Sequence, residues 1–154
     1  MSALPTTAAA NANRREFAVP PPGFTDVPGQ PITVLLLEDD PDVLEATAMI
    51  LQEEGFRVLA TADLETAQRL ALEAQRCVVL LDLSIEGDLL RFVQTLHHSA
   101  AWDGQVLLFS AGDRLEERAR ELEADGAVAK PFEIDRLIAE LRFRGSLRDE
   151  AHAS

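Results

Sequence analysis

Cysteine occurs once in this 154-residue chain, at Cys77, so no internal disulfide is available and a reducing compartment is the expected setting. Cations are scarce as well. Lys and Arg total 14 against 27 Asp and Glu, a formal net charge of -13. That balance repels phosphate backbones and anionic lipid, so neither nucleic acid nor a membrane is expected as a partner. No apolar run approaches the ~20 residues of a membrane-spanning helix. No export signal is expected either: Arg14-Arg15-Glu16-Phe17 is followed by Pro20, Pro21 and Pro22 where a hydrophobic core would have to stand. A cytoplasmic location is therefore expected. The acidic surplus does suit one class of ligand, the hard divalent cations, which take carboxylate oxygens.

Residues 1–30 are rich in Ala and Pro and show neither helical nor alternating apolar period, so they are expected to be a disordered tail. From Ile32 the texture changes. Short runs apolar on both faces appear at Val34–Leu37, Cys77–Leu81 and Val106–Phe109, as parallel strands covered on both sides require. Arg57–Ala60 and Ala127–Ala129 fit two weaker strands. Helical stretches lie between them, with Val43, Thr47, Ile50 and Leu51 expected on the inner face of the first. Leu64, Ala67, Ala71 and Ala74 share a face of the second, and Ile134, Leu137, Ile138 and Leu141 a face of the last. Asp40 with Pro41 reads as a helix start, Gly55 as a left-handed helix end, and Asp113 with Glu116 as a capping box. The expected organisation is one domain over residues 31–145, followed by a tail over 146–154. Five strand–helix repeats argue for an open, parallel, doubly wound α/β sheet.

In such sheets the ligand crevice lies beyond the carboxyl ends of the strands. The polar residues expected there are Glu38-Asp39-Asp40 after the first strand, Asp82 after the third, Ser110 after the fourth and Lys130 after the fifth. Clustered carboxylates repel one another, and a divalent cation relieves this. Together with Mg2+, Asp82 could act as a nucleophile toward a phosphoryl group. Lys130 would face one phosphoryl oxygen as a point charge, and the Ser110 hydroxyl would donate to another.

The segments V-L-L-L-E-D-D-P-D, V-V-L-L-D-L, V-L-L-F-S-A and A-K-P-F, in that order and at these separations, resemble the receiver domain of bacterial two-component response regulators. The resemblance covers residues 32 to about 144 and is nearest in kind to stand-alone, chemotaxis-type receivers. It implies a flavodoxin-like fold with a five-stranded parallel sheet in the order 2-1-3-4-5. It places Mg2+ at Glu38, Asp39, Asp82 and the backbone carbonyl of Ser84, the phosphoacceptor at Asp82, the hydroxyl switch at Ser110 and the lysine at Lys130. A cis Lys130-Pro131 bond is implied as well. The expected function is signal transduction: a histidine kinase or phosphotransfer protein phosphorylates Asp82, and a downstream protein reads the result, through a monomer or a phosphorylation-dependent homodimer. The chain would not be an enzyme beyond its own phosphotransfer and dephosphorylation.

Two departures stand out. The loop after Asp82 lacks the family's proline and, if Gly87 is its glycine, is about three residues short. Ala127 stands where the family commonly has Tyr or Phe. Both favour a rival, a pseudo-receiver that acts as a phosphorylation-independent interaction module. An aspartate-nucleophile phosphatase would want a well-spaced second acid, and Glu86 and Asp88 do not match it. A flavin-binding domain would not place Glu38-Asp39-Asp40 where phosphate must sit. Away from the crevice, His97 and His98 read as a helix-end pair favoured by the dipole. Trp102 reads as loop packing, and Arg142, Arg144 and Arg148 as the positive end of the last helix.

Overall fold

The computed structural model describes residues 31–130 and 134–153, with side chains through Ser146. The strands are β1 (Thr33–Leu37), β2 (Arg57–Thr61), β3 (Val78–Asp82), β4 (Gln105–Ser110) and β5 (Gly126–Ala129). Helices α1 (Pro41–Glu53), α2 (Leu64–Ala74), α3 (Leu89–His98), α4 (Leu115–Glu121) and α5 (Ile134–Ala153) follow them in strict alternation. The five strands pair in parallel as β2-β1-β3-β4-β5, the expected doubly wound sheet. β3 is buried at every position, and β1 and β4 are buried at all but one terminal residue each. This is why the three runs read as apolar on both faces.

Two apolar layers flank the sheet. On one side Leu35, Leu37, Val79, Leu81, Val106 and Leu108 pack under α2, α3 and α4. On the other side Val34, Leu36, Leu80, Leu107 and Phe109 pack under α1 and α5. The inner faces of α2 and α5 are the ones the periodicity predicts, through Ala67 and Ala71 and through Leu137, Ile138 and Leu141. The face of α1 is not. Thr47 and Leu51 are buried and Leu44 and Ala48 pack beside them, while Val43 and Ile50 are exposed. Apolar residues run nearly all the way round this helix, so spacing alone leaves its rotation open by about one position.

The caps divide similarly. Asp40 accepts the N–H groups of Asp42 and Val43 at 3.0 and 3.3 Å, and Gly55 takes φ +98°, both as predicted. The Asp113–Glu116 capping box does not form. α4 begins after Arg114, which makes no side-chain cap and instead forks onto Glu117 with two 2.8 Å bonds. The last helix runs to Ala153, so Arg142 and Arg144 lie along it and not at its end. Residues 1–30, Pro131 with its peptide bond, and the side chain of Arg148 lie outside the described residues.

One glycine is dictated by close approach. A Cβ on Gly104 would fall 2.4 Å from the carbonyl oxygen of Cys77 and 2.4 Å from the Trp102 ring. The first neighbour is backbone at the entry to β3 and cannot step aside. Gly104→Ala is expected to lower unfolding stability by about 1–3 kcal/mol through overpacking, seen as a lower urea midpoint at unchanged slope.

Candidate functional site

The strand order reverses between β1 and β3, with β2 on one side and β4 and β5 on the other, and in a doubly wound sheet the crevice lies beyond the carboxyl ends at this switch point. β1 delivers Glu38 and Asp39 to its rim. β3 ends in Asp82, paired in register with Phe109 of β4, and β5 leads into Lys130. Glu38 and Asp82 are buried and Asp39 is exposed. One carboxylate oxygen from each of the three acids lies within 4.8 Å of the other two, a grouping that suits a divalent cation.

Each group in the crevice is held by named partners. Glu38 accepts the N–H of Asp40 at 3.2 Å on one oxygen and the Lys130 ammonium at 2.9 Å on the other. Asp82 Oδ2 accepts Lys130 Nζ at 3.3 Å and lies 2.7 Å from Ser84 Oγ, while its Oδ1 accepts the Ser84 N–H at 3.3 Å. Ser84 Oγ also lies 2.6 Å from Asp39 Oδ1. The Lys130 ammonium sits 4.4 Å over the ring of Phe109, a cation–π contact. The Lys130 backbone N–H donates to the Ser110 carbonyl at 2.9 Å, tying the β5 end to the β4 end.

Electrostatics separate the two buried acids. Burial pushes the Glu38 carboxyl above the ordinary 4.5, against the pull of the Lys130 hydrogen bond. Burial acts to raise Asp82 as well. Its hydrogen bonds with Glu38 and Ser84, and the charge of Lys130, outweigh that and hold it below 3.8. Burial pulls Lys130 down, but its bond to Glu38 and the charges of both acids leave it above 10.5. The two carboxyls are thus shifted in opposite directions, Glu38 upward by its burial and Asp82 downward by its hydrogen bonds and the neighbouring ammonium. An ionised carboxylate beside a fixed ammonium is a competent nucleophile toward an anionic phosphoryl group.

All the expected site residues but one converge. Ser110 ends β4 on the same rim, yet its hydroxyl donates to the Ala111 carbonyl at 3.4 Å instead of into the acid cluster. Ala127 is half-buried and lines a groove of about 690 Å³ shared with Leu115, Arg120 and Arg136, where a larger side chain would have room to stand. The loop after Asp82 turns at once, through an Ile85 N–H bond to the Asp82 carbonyl at 3.2 Å, and buries Ile85. Gly87 then passes at φ +130°, with Leu64 filling the space its side chain would take.

The family model of the response regulator receiver domain matches residues 34–142. The chain belongs to that family. It is 34% identical over 124 residues to the probable transcriptional regulatory protein TcrX of Mycobacterium tuberculosis, covering 78% of this chain and 51% of TcrX. It is 36% identical over 120 residues to the regulatory protein VirG of Rhizobium radiobacter, covering 74% of this chain and 44% of VirG. Its fold superposes on the BeF3-activated N-terminal receiver domain of Klebsiella pneumoniae RstA with a TM-score of 0.64 at 23% identity, covering 73% of this chain and 97% of that one.

This receiver thus spans about half the length of the curated relatives it matches. Several of them are named as transcriptional regulators, so the expectation that nucleic acid is excluded as a partner finds no support among them. Receiver domains are signalling modules that bind Mg2+ at an acidic site, and the Glu38, Asp39 and Asp82 grouping fits one. No helix among the described residues is long and apolar enough to cross a membrane.

Three features of the receiver escaped the sequence. Phe109 reads only as a core strand residue, yet it carries the Lys130 ammonium. His97 does occupy the last turn of α3, but it faces inward, 3.2 Å from the buried Asp125 and with its ring 5.6 Å from that of Trp102. Arg144 is buried on α5 against Glu140 and Gln105, not displayed to a partner.

Proposed function

We propose that this receiver takes a phosphoryl group onto Asp82 from a histidine kinase or phosphotransfer protein, with Mg2+ held by Glu38, Asp39 and Asp82. The observation that carries this reading is the pairing of an ionised, buried Asp82 with Lys130 Nζ at 3.3 Å inside a three-carboxylate cluster. The donor's bond to phosphorus breaks as a bond from Asp82 Oδ to phosphorus forms, leaving an acyl phosphate. Bound Mg2+ supplies charge neutralisation for the incoming phosphoryl oxygens. Lys130 supplies a second, pre-positioned positive charge and loses no reorganisation energy as charge shifts.

Ser110 is proposed as the hydroxyl that turns from Ala111 toward the phosphoryl group once it is present. The surface between α4, β5 and α5 would then differ between the two states and be read by a downstream protein. Ala127 favours a second reading, a pseudo-receiver that acts as a phosphorylation-independent interaction module, because no aromatic ring is there to follow Ser110.

Intact-protein mass spectrometry with acetyl phosphate, with and without Mg2+, separates the two. One phosphoryl adduct that needs Mg2+ and is absent from Asp82→Asn is the expected result. If neither acetyl phosphate nor a panel of phosphorylated kinases yields an adduct, the pseudo-receiver becomes the account of this chain.

A further inference from the structure

Ser84 is placed by its neighbours. Leu83 packs against the core on one side and Ile85 is buried on the other, while the tight turn from Asp82 leaves Ser84 projecting into the crevice. Its Oγ lies 2.6 Å from Asp39 Oδ1 and 2.7 Å from Asp82 Oδ2. Both lengths are those of a hydroxyl donating to a charged carboxylate. A serine hydroxyl has one proton, so it can satisfy one of the two carboxylates at a time and is shared between them. The same two carboxylates make up two-thirds of the group that suits a cation.

We propose that the Ser84 hydroxyl and a divalent cation compete for Asp39 and Asp82, so that the hydroxyl bridges the site when no cation is bound and has to release it when one arrives. This rests on the cation reading of the acid cluster. It differs from the role the family resemblance gives Ser84, because that role belongs to its backbone carbonyl, and a side-chain substitution leaves the carbonyl in place. The hydroxyl is a neutral surrogate that joins two like charges which would otherwise face each other across the crevice. Removing it leaves the carboxylates free of that bond and still mutually repelling, and both effects favour the cation.

The test is calorimetric titration of the full chain with MgCl2, without phosphodonor, for the wild type, Ser84→Ala and Ser84→Thr. Ser84 is exposed, so neither substitution removes core packing. Ser84→Ala is expected to bind Mg2+ about tenfold more tightly, the equivalent of one lost charge-assisted hydrogen bond in the free protein. Ser84→Thr keeps the hydroxyl and is expected to match the wild type. An unchanged affinity in Ser84→Ala sinks the competition while leaving the cation site standing. A weaker affinity overturns it in the other direction, by making the hydroxyl a ligand. If no protein of the three binds Mg2+, the cation reading itself fails and takes this inference with it.

Discussion

Arg144→Ala will lower the unfolding free energy by about 3–5 kcal/mol at neutral pH, a loss of the size seen when one member of a buried ion pair is removed. Arg144 and Glu140 are one helical turn apart on α5, with side chains 3% and 6% exposed, and meet at 3.2 Å. The second guanidinium arm donates to Gln105 at the start of β4, also at 3.2 Å. Gly126 on β5 makes room for the arm that meets Glu140, since a Cβ there would fall 2.4 Å from that nitrogen. Removing the guanidinium therefore leaves a buried carboxylate and a buried amide oxygen without their donor, and opens a cavity between α5 and the sheet.

The cause of that loss can be checked by pH. Burial holds the Glu140 carboxyl above the ordinary 4.5, against the charge of Arg144. A raised carboxyl pKa favours folding fully below 4.5, and that contribution fades as pH rises through the folded value. Without Arg144 the folded value rises further, because a charge that lowers it is gone. The deficit of Arg144→Ala should therefore be largest near neutrality and shrink as the solution is acidified. A double variant, Glu140→Gln with Arg144→Met, should recover most of the stability, since no buried charge is left to compensate. Chemical unfolding across pH decides the matter. A deficit independent of pH, unrelieved in the double variant, would assign the loss to the cavity alone.

What could be read in the sequence and what could not follow from how local each signal is. The sheet was legible because strands buried on both faces must be apolar throughout, and Leu80-Leu81 or Leu107-Leu108 admit no other placement. The crevice was legible because strand ends are a defined place in a doubly wound sheet. Glu38, Asp82 and Lys130 end three such strands and do meet. Rotation of α1 was not legible, because Val43, Leu44, Ala48, Ile50 and Leu51 give it two nearly equivalent apolar faces. The absent capping box shows a competition instead: Arg114 and Glu117 pair on the surface, and the helix starts one residue later than Asp113 would set it. Arg144 and Gln105 lie 39 residues apart, and the burial of an arginine leaves no mark in its own neighbourhood. The Phe109 contact with Lys130 is of the same kind, since it depends on the register of β4 beside β5.

That contact bears on the second large effect. Lys130→Ala is expected to slow phosphoryl acceptance from acetyl phosphate by about 10²–10³-fold, the usual cost of losing one pre-positioned donor to developing charge. The ammonium has three fixed relations: 2.9 Å to Glu38, 3.3 Å to Asp82 and 4.4 Å to the Phe109 ring. All three hold the ammonium in the crevice before any phosphoryl group arrives. Its charge also helps to hold Asp82 below 3.8, so its removal raises the Asp82 pKa. The acid limb of the rate profile, where Asp82 gains a proton and stops reacting, will then move to higher pH. Lys130→Arg separates the two effects. It keeps the charge, and with it the position of the acid limb, but replaces a compact ammonium with a planar fork that cannot reach both carboxylates over Phe109 in the same way. Rates of adduct formation by mass spectrometry, followed across pH for the three proteins, carry the comparison. If Lys130→Ala is phosphorylated at the wild-type rate with an unmoved acid limb, Lys130 is a structural counter-ion for Glu38 and takes no part in the transfer.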